Sequence, residues 1–220
     1  MAANAAAQDV LREIGRRMVV PVIAIEDAAG ATPLGDALVE GGLPIAEITF
    51  RTDAAEASIR ALAGRKDLLV GAGTVINPDL ARRAVDAGAK FIVSPGFNPK
   101  TVRWCVDNGV PIAPGMATPS DLEAALDHGV NVVKFFPAEA LGGVKTLRAI
   151  AAPYGGVKFV PTGGVTADNL EQYLAFPAVL AVGGSWMVSK ELLSGRRYAE
   201  VTKLARDAVA RAQRVRPGAA

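Results

Sequence analysis

The chain has 220 residues and a net charge of +2, from 24 basic and 22 acidic side chains; half of its residues are apolar and 5% are aromatic. This length fits one α/β domain, and the near-balance of charge excludes the basic stripe that nucleic-acid binding requires. A single cysteine and a single histidine exclude an internal disulfide and nearly exclude a zinc or non-heme iron site. Counting alone does not exclude a carboxylate-bound magnesium ion.

The N-terminal residues 1–18 carry charge throughout and lack the continuous apolar core of a signal peptide, so they are expected to form a helix that caps the domain. No segment reaches transmembrane length without charge, which predicts a cytoplasmic protein without a membrane partner. Cys105 is expected to be a buried apolar residue and His128 to lie at a helix end, rather than to take part in chemistry.

Short apolar or β-branched runs recur roughly every 20 to 27 residues, and a helical pattern follows each of them. The predicted strands span 19–25, 46–50, 68–71, 91–94, 111–113, 132–135, 157–160 and 179–182. The predicted helices span 33–41, 53–64, 77–87, 99–108, 119–128, 143–152, 166–175 and 197–213. Cap residues indicate helix starts at Asn77, Thr118 and Thr166, and glycines indicate helix ends at Gly88, Gly109 and Gly129.

Eight strand–helix units without a break in composition predict one domain over residues 1–220, a single (β/α)8 TIM barrel with an N-terminal capping helix. The alternative is an open doubly wound sheet, which needs a glycine-rich fingerprint after its first strand, and residues 21–30 supply none. In such barrels the carboxyl ends of the strands form the active site, so polar residues there are candidates for function.

The second strand alternates between apolar and polar residues. Ala46 and Ile48 share one face, while Glu47, Thr49 and Arg51 share the face predicted to point into the barrel. Buried charge is unfavourable unless it is paired or functional. A structural ion pair between Glu47 and Arg51 is one interpretation. The favoured one is a site where Arg51 binds a substrate carboxylate and Glu47 transfers protons.

The sixth strand carries Lys134 among valines and phenylalanines. Burial and the nearby Arg51 disfavour the ammonium form, and a neutral amine is what forms an imine with a ketone; the alternative is a lysine that reaches solvent at a strand end. Lys158 repeats the local spacing, with a phenylalanine directly after it and a proline three residues on. Neighbouring barrel strands fill alternate layers, so only one of the two lysines should point inward, and the context favours Lys134.

Paired glycines follow the last two predicted strands. These loop residues are Thr162, Gly163 and Gly164 after the seventh strand, and Gly183, Gly184 and Ser185 after the eighth. Either pair alone is equally compatible with a tight turn. Together, at positions where barrel enzymes repeatedly bind phosphate through exposed N–H groups and helix starts, they predict a phosphate site. The small residues of 71–74 and 94–96 are expected only to line the site.

The matching segments EITFRT (47–52), GAGTVINP (71–78), SPGFNP (94–99), VKFFPAEA (133–140), PTGGV (161–165) and GGSW (183–186) extend over nearly the whole chain. In sequence and spacing they resemble the bacterial 2-keto-3-deoxy-6-phosphogluconate (KDPG) aldolase family. The resemblance implies a class I aldolase without metal or other cofactor, which acts on a phosphorylated 2-keto acid as a homotrimer.

The resemblance also implies a role for individual residues. Lys134 corresponds to the imine-forming lysine and Glu47 to the general acid/base. The pyruvate carboxylate contacts correspond to Arg51 and Thr74, with Pro95 and Phe136 packing nearby. Gly163, Gly164, Gly184 and Ser185 correspond to the phosphate loops. The implied products are pyruvate and glyceraldehyde 3-phosphate, and the family commonly also cleaves 4-hydroxy-2-oxoglutarate (KHG) to pyruvate and glyoxylate.

One segment departs from the family pattern, because Met116 and Ala117 stand where the pattern carries a hydroxyl. This difference bears on contacts with the distal substrate hydroxyls and not on imine chemistry. Aldolases for the galactonate epimer are disfavoured, since their second-strand motif lacks the arginine found at Arg51. Two other classes stay open. A phosphosugar isomerase, epimerase or decarboxylase would share the glycine loops without needing a neutral Lys134, and a pure binding protein would not bury a lysine with a glutamate.

Overall fold

The computed structural model describes residues 2–218, with side-chain surroundings from residue 7 onward, and shows strands that alternate with helices along the chain. The strands are β1 (Val19–Ile23), β2 (Ile45–Thr49), β3 (Leu69–Gly73), β4 (Ile92–Val93), β5 (Ile112–Ala113), β6 (Gly115–Met116), β7 (Val132–Phe135), β8 (Lys158–Phe159) and β9 (Val182–Gly184). The helices are α1 (Ala2–Arg17), α2 (Ala31–Glu40), α3 (Ala55–Leu62), α4 (Pro78–Asp86), α5 (Pro99–Asp107), α6 (Pro119–Asp127), α7 (Gly143–Ala151), α8 (Leu170–Leu174), α9 (Lys190–Ser194) and α10 (Tyr198–Val215). Within residues 2–218, no helix combines the length and the apolar character that crossing a bilayer requires.

All the strand pairs are parallel, which confirms the predicted α/β class. One sheet has the order β5-β4-β3-β2-β1-β9, and a second has the order β6-β7-β8. β5 and β6 are two short pieces of one chain segment, separated at Pro114. Two isolated parallel bridges, Phe159 to Val179 and Thr162 to Gly183, link the end of the second sheet to the edge of the first. The predicted single continuous sheet is therefore present as two sheets joined by bridges.

The last strand–helix units differ most from their predicted bounds. Thr166 does not start a helix, because its N–H donates to the Asn169 side chain (2.8 Å), whose amide nitrogen in turn donates to the Gly164 carbonyl (3.1 Å). These bonds hold a turn, so α8 begins only at Leu170. The last strand begins at Val182, three residues later than predicted, and α9 was not predicted.

Cap chemistry explains why the other helices begin and end close to their predicted bounds. Asn77 accepts a hydrogen bond from the Leu80 N–H, and Thr118 forms a reciprocal capping box with Asp121. The glycines that follow α4, α5 and α6 have positive φ angles of 108°, 67° and 75°, a backbone conformation that favours glycine over residues with a Cβ. These caps set the lengths of the helices that flank the sheets.

The core is mostly aliphatic, but the strands also bury polar side chains. Two of these carry charge, Glu47 on β2 and Lys134 on β7, and each residue is only 2% exposed to solvent. A desolvated carboxylate or ammonium is strongly unfavourable unless it is paired or serves a function. This buried pair therefore marks the candidate site.

Candidate active site

Strand pairing places Glu47 in the middle of the larger sheet. It lies opposite Val22 of β1 and Gly71 of β3. Its carboxylate Oε1 lies 3.8 Å from Lys134 Nζ, and it has no hydrogen-bond partner among the described residues. A separation of 3.8 Å is too long for a hydrogen bond, yet close enough for one small group to bridge the two side chains. The pair is thus arranged to exchange protons through a bound molecule.

Lys134 occupies a fully buried strand. All four residues of β7 are buried, and the Lys134 N–H donates to the Pro114 carbonyl at 2.8 Å, which fixes the strand. The Nζ atom lies 5.1 Å from the centroid of the Phe136 ring. An amine between an aromatic ring and a carboxylate, shielded from water, is well placed to act as a nucleophile toward a carbonyl carbon.

Lys158 occupies a different environment in spite of its similar local sequence. Strand register pairs Lys158 with Val132, so it lies two residues nearer the start of the strand than Lys134. Its side chain is exposed, and Nζ donates to the Pro177 carbonyl at 3.0 Å. Only Lys134 of these two lysines approaches Glu47.

Arg51 does not lie on the inward face that the alternation of the second strand predicted. β2 ends at Thr49, whose hydroxyl donates to the Ile23 carbonyl at 2.7 Å. Arg51 is therefore exposed in the turn that follows, rather than on the inward face with Glu47. Its Nε lies 3.4 Å from Thr74 Oγ1, so these two residues converge at the ends of β2 and β3. Glu47 has Lys134, not Arg51, as its charged neighbour.

Thr74 has a strained backbone. Its φ angle is +58°, a left-handed conformation that is unfavourable for a β-branched residue by about 1–3 kcal/mol. Such strain persists where the surrounding structure holds a side chain in place. Here it accompanies the approach of the Thr74 hydroxyl to Arg51.

Pro95 and Phe136 are both half-buried, just after β4 and β7, the strands on either side of the β5–β6 segment. A glycine that the sequence analysis did not single out, Gly115, lets these segments approach: a Cβ at this position would lie 2.1 Å from the Pro95 carbonyl oxygen. β6, which contains Gly115, pairs directly with Lys134 on β7. Close backbone packing thus brings Pro95 toward the Lys134 strand.

The two glycine loops lie side by side. Thr162 forms a parallel bridge with Gly183, and the Gly183 N–H donates to the Pro161 carbonyl at 2.9 Å. Gly163 and Gly164 have φ angles of +94° and +80°, and within residues 2–218 neither of their N–H groups donates to a backbone carbonyl. Amides turned out of the hydrogen-bonding pattern in this way can bind an anion.

A buried tyrosine that sequence reasoning missed supports the first of these loops. The Tyr173 hydroxyl, on α8, donates to the Glu139 carboxylate, and the Glu139 N–H donates to the Gly163 carbonyl at 3.0 Å. Burial and the hydrogen bond to Glu139 raise the pKa of Tyr173 well above its usual value, so it stays a donor at neutral pH. In sequence Tyr173 is indistinguishable from a core residue, so only the contact with Glu139 reveals its role.

Cys105 and the acidic residues give no second candidate site. Cys105 is buried, and burial raises the pKa of its thiol to about 12, so it is not an activated nucleophile. In the part of the chain that the structure describes, no three His, Cys, Asp or Glu residues are grouped so as to hold a metal ion.

A parallel α/β fold with a buried lysine beside a buried carboxylate is suited to an enzyme that works through a lysine-bound intermediate. The family model of KDPG and KHG aldolases matches residues 10–204, and the chain belongs to this family of carbon–carbon lyases.

Three proteins illustrate the similarity. The 2-dehydro-3-deoxy-phosphogluconate aldolase of Treponema pallidum is 47% identical over 196 residues, which cover 89% of this chain and 93% of that protein. The structure of the Zymomonas mobilis ZM4 2-keto-3-deoxy-6-phosphogluconate aldolase with 3-phosphoglycerate has a TM-score of 0.86 and 39% identity, over 93% of this chain and 95% of that one. The Legionella pneumophila KDPG aldolase, with pyruvate captured as a covalent carbinolamine intermediate, also has a TM-score of 0.86 and 39% identity, over 89% and 96%.

Proposed function

We propose that the protein is a class I aldolase that cleaves KDPG to pyruvate and glyceraldehyde 3-phosphate, and KHG to pyruvate and glyoxylate. The observation that carries this proposal is the buried pair of Lys134 and Glu47, with 3.8 Å between Nζ and Oε1. The carbinolamine captured in the Legionella relative and the 3-phosphoglycerate bound to the Zymomonas relative support the same class of chemistry.

The reaction begins when the neutral amine of Lys134 adds to the C2 ketone, and loss of water from the carbinolamine gives a protonated imine. This imine accepts the electron pair of the C3–C4 bond, while the C4 hydroxyl loses its proton and the aldehyde product leaves. The resulting enamine takes up a proton at C3, and hydrolysis of the imine releases pyruvate and regenerates Lys134. Glu47, at 3.8 Å, accepts and returns these protons.

Binding residues surround this centre. Arg51 and Thr74, which converge after β2 and β3, hold the carboxylate of the pyruvate unit, and Pro95 and Phe136 pack against it. The phosphate binds between the two glycine loops, at Thr162, Gly163, Gly164, Gly183, Gly184 and Ser185. KHG has no phosphate, so in this proposal only the contacts with the pyruvate unit hold it.

We also propose that the sheets form a closed barrel. The bridges Phe159–Val179 and Thr162–Gly183 support closure of the two sheets into one (β/α)8 barrel, with α1 capping one end and residues 1–220 forming a single domain. The chemistry assigned to Lys134 needs no metal or other cofactor, because the protonated imine is itself the electron sink. A homotrimer and a cytoplasmic location remain predictions.

Turnover of KDPG tests the proposed function directly. We expect the protein to release pyruvate and glyceraldehyde 3-phosphate in equal amounts, measured by dehydrogenase-coupled assays, and to keep this activity after exhaustive treatment with EDTA. Loss of activity with EDTA and recovery with Mg²⁺ would indicate a metal-bound enolate instead. An isomerised or decarboxylated product without pyruvate would assign the protein to the other phosphosugar enzymes.

Ser185 offers a test of the phosphate loops that spares the glycines. Gly163 and Gly164 have positive φ angles, and a Cβ on Gly184 would lie 1.9 Å from the Trp186 ring, so substitutions there would strain the fold itself. Ser185 is exposed, and Ser185→Asp places a negative charge where the phosphate should bind. We expect KM for KDPG to rise by about tenfold or more through like-charge repulsion, and KM for KHG to change less.

The matched control for this experiment is Ser185→Ala, which removes the hydroxyl without adding charge and should have a smaller effect on KDPG. Equal losses on KDPG and KHG in Ser185→Asp would argue against a phosphate site at these loops.

A further inference from the structure

The inward face of β3 carries two glycines after Leu69. In a strand, residues two apart share a face, and β3 carries Gly71 and Gly73 on one face with buried Ala72 on the other. A Cβ on Gly71 would lie 2.3 Å from the Phe91 ring, and a Cβ on Gly73 would lie 2.1 Å from Glu47 Oε1. The bare backbone of β3 thus accommodates an aromatic ring at one level and the Glu47 carboxylate at the next.

The backbone conformation at residue 73 does not require a glycine. Its φ angle is outside the positive region that favours glycine, so the backbone there accepts alanine. The obstacle is the Glu47 side chain, whose Cγ and Cδ would both lie 2.8 Å from a Cβ on Gly73. Because the contact is with the end of a side chain and not with backbone, alanine at this position would displace the carboxylate rather than the strand.

The interior next to the Glu47 carboxylate is apolar. A cavity of about 20 Å³ borders Glu47 and is otherwise lined by apolar residues, among them Phe91, Val93, Val132 and Val160. Among the described residues that line this cavity, none offers a displaced carboxylate a hydrogen-bond donor, and a water molecule there would lack the two or more polar partners it needs. The Glu47 carboxylate therefore stays near Lys134 because Gly73 has no side chain to occupy the same space.

We propose that Gly73 is a positioning residue that sets the distance between the Glu47 carboxylate and the imine formed on Lys134. A side chain at residue 73 moves the carboxylate by about 1 Å, from 2.1 Å to normal contact with the new Cβ. A misplacement of this size can lower a rate by up to about 10²-fold. Imine formation on Lys134 is retained, because the lysine stays on its buried strand and only the Glu47 carboxylate, 3.8 Å from Nζ, moves. The inference rests on the proposed aldolase function.

The test compares Gly73→Ala, Glu47→Gln and the double variant. Gly73→Ala should lower kcat for KDPG, and the exchange of pyruvate methyl protons with deuterated water, by about 10- to 100-fold. Borohydride should still trap pyruvate on Lys134 at long incubation. The double variant should stay within about threefold of Glu47→Gln alone, because Gly73 acts only through the carboxylate.

Two further variants separate positioning from general damage. Gly64→Ala, at a glycine with open space around it and no positive φ, is the matched control and should behave as the unmodified protein. Glu47→Asp shortens the side chain by one methylene and so removes its clash with a Cβ at residue 73. Adding Gly73→Ala should therefore not lower the activity of Glu47→Asp any further. Multiplicative losses in the double variants, or near-normal turnover in Gly73→Ala, would overturn the inference. An unmodified protein that neither cleaves KDPG nor exchanges pyruvate protons would instead refute the proposed function.

Discussion

Replacing Glu47 with glutamine is expected to lower turnover of KDPG by roughly 10² or more, the usual contribution of a positioned acid–base group. Glutamine keeps the shape of the side chain and its fit above Gly73, where a Cβ would lie 2.1 Å from Oε1. It cannot accept a proton, so carbinolamine dehydration, C–C cleavage and enamine protonation should all slow. Trapping of pyruvate with borohydride should become slower and remain detectable. The measurement is kcat for KDPG together with the rate of adduct formation.

Glu40→Gln is a suitable control, because this glutamate is exposed at the end of α2. The substitution removes the same charge as Glu47→Gln, but far from the Lys134 strand. It should leave turnover unchanged. If Glu47→Gln itself turned over KDPG at a nearly normal rate, Glu47 would be only the structural counter-charge of Lys134. The two outcomes are well separated, since a structural role predicts lower thermal stability without a loss of exchange between pyruvate and solvent.

The period-2 pattern of the second strand was informative because it follows from backbone geometry alone. Successive side chains of a strand point to opposite faces, so Glu47 and Thr49 had to share a face, and both are buried in the structure. The same pattern failed at Arg51, since the alternation of faces does not continue past the end of β2 at Thr49. That end depends on hydrogen bonds from Thr49 and Thr52 to the carbonyls of Ile23 and Ile25, which lie on a neighbouring segment.

Contacts between segments distant in sequence account for the rest of what was missed. Tyr173 and Gly73 are ordinary residues in their local sequence, and only the positions of Glu139 and Glu47 give them a role. The late start of α8 has a local origin instead, because the Asn169 side chain bonds to Thr166 and Gly164 in place of a first helical turn. Single-sequence patterns report propensity and periodicity, and such tertiary contacts override both.

The choice between the two lysines depends on register, which the local sequence could not supply. Both Lys134 and Lys158 are followed by phenylalanine, yet the pairing of Val132 with Lys158 places the second lysine near the opposite end of its strand. The exposed Lys158 amine donates instead to the Pro177 carbonyl at 3.0 Å. Lys158 therefore does not approach the Glu47 carboxylate, which the reaction requires.

Lys134→Ala should therefore abolish cleavage of KDPG, with a loss of roughly 10⁴ or more, the range expected when a covalent nucleophile is removed. Only a lone pair on nitrogen can attack the ketone carbon of pyruvate, and only the resulting protonated imine can accept the electrons of the C3–C4 bond. Borohydride with pyruvate should add one three-carbon adduct to the unmodified protein, and peptide mass mapping should find it on Lys134, 3.8 Å from Glu47. Lys158→Ala, the matched control on the exposed lysine, should keep both the adduct and turnover, whereas Lys134→Ala should lose both. An adduct on Lys158, or turnover that survives in Lys134→Ala, would contradict this mechanism, because no other described lysine lies within 4 Å of the Glu47 carboxylate.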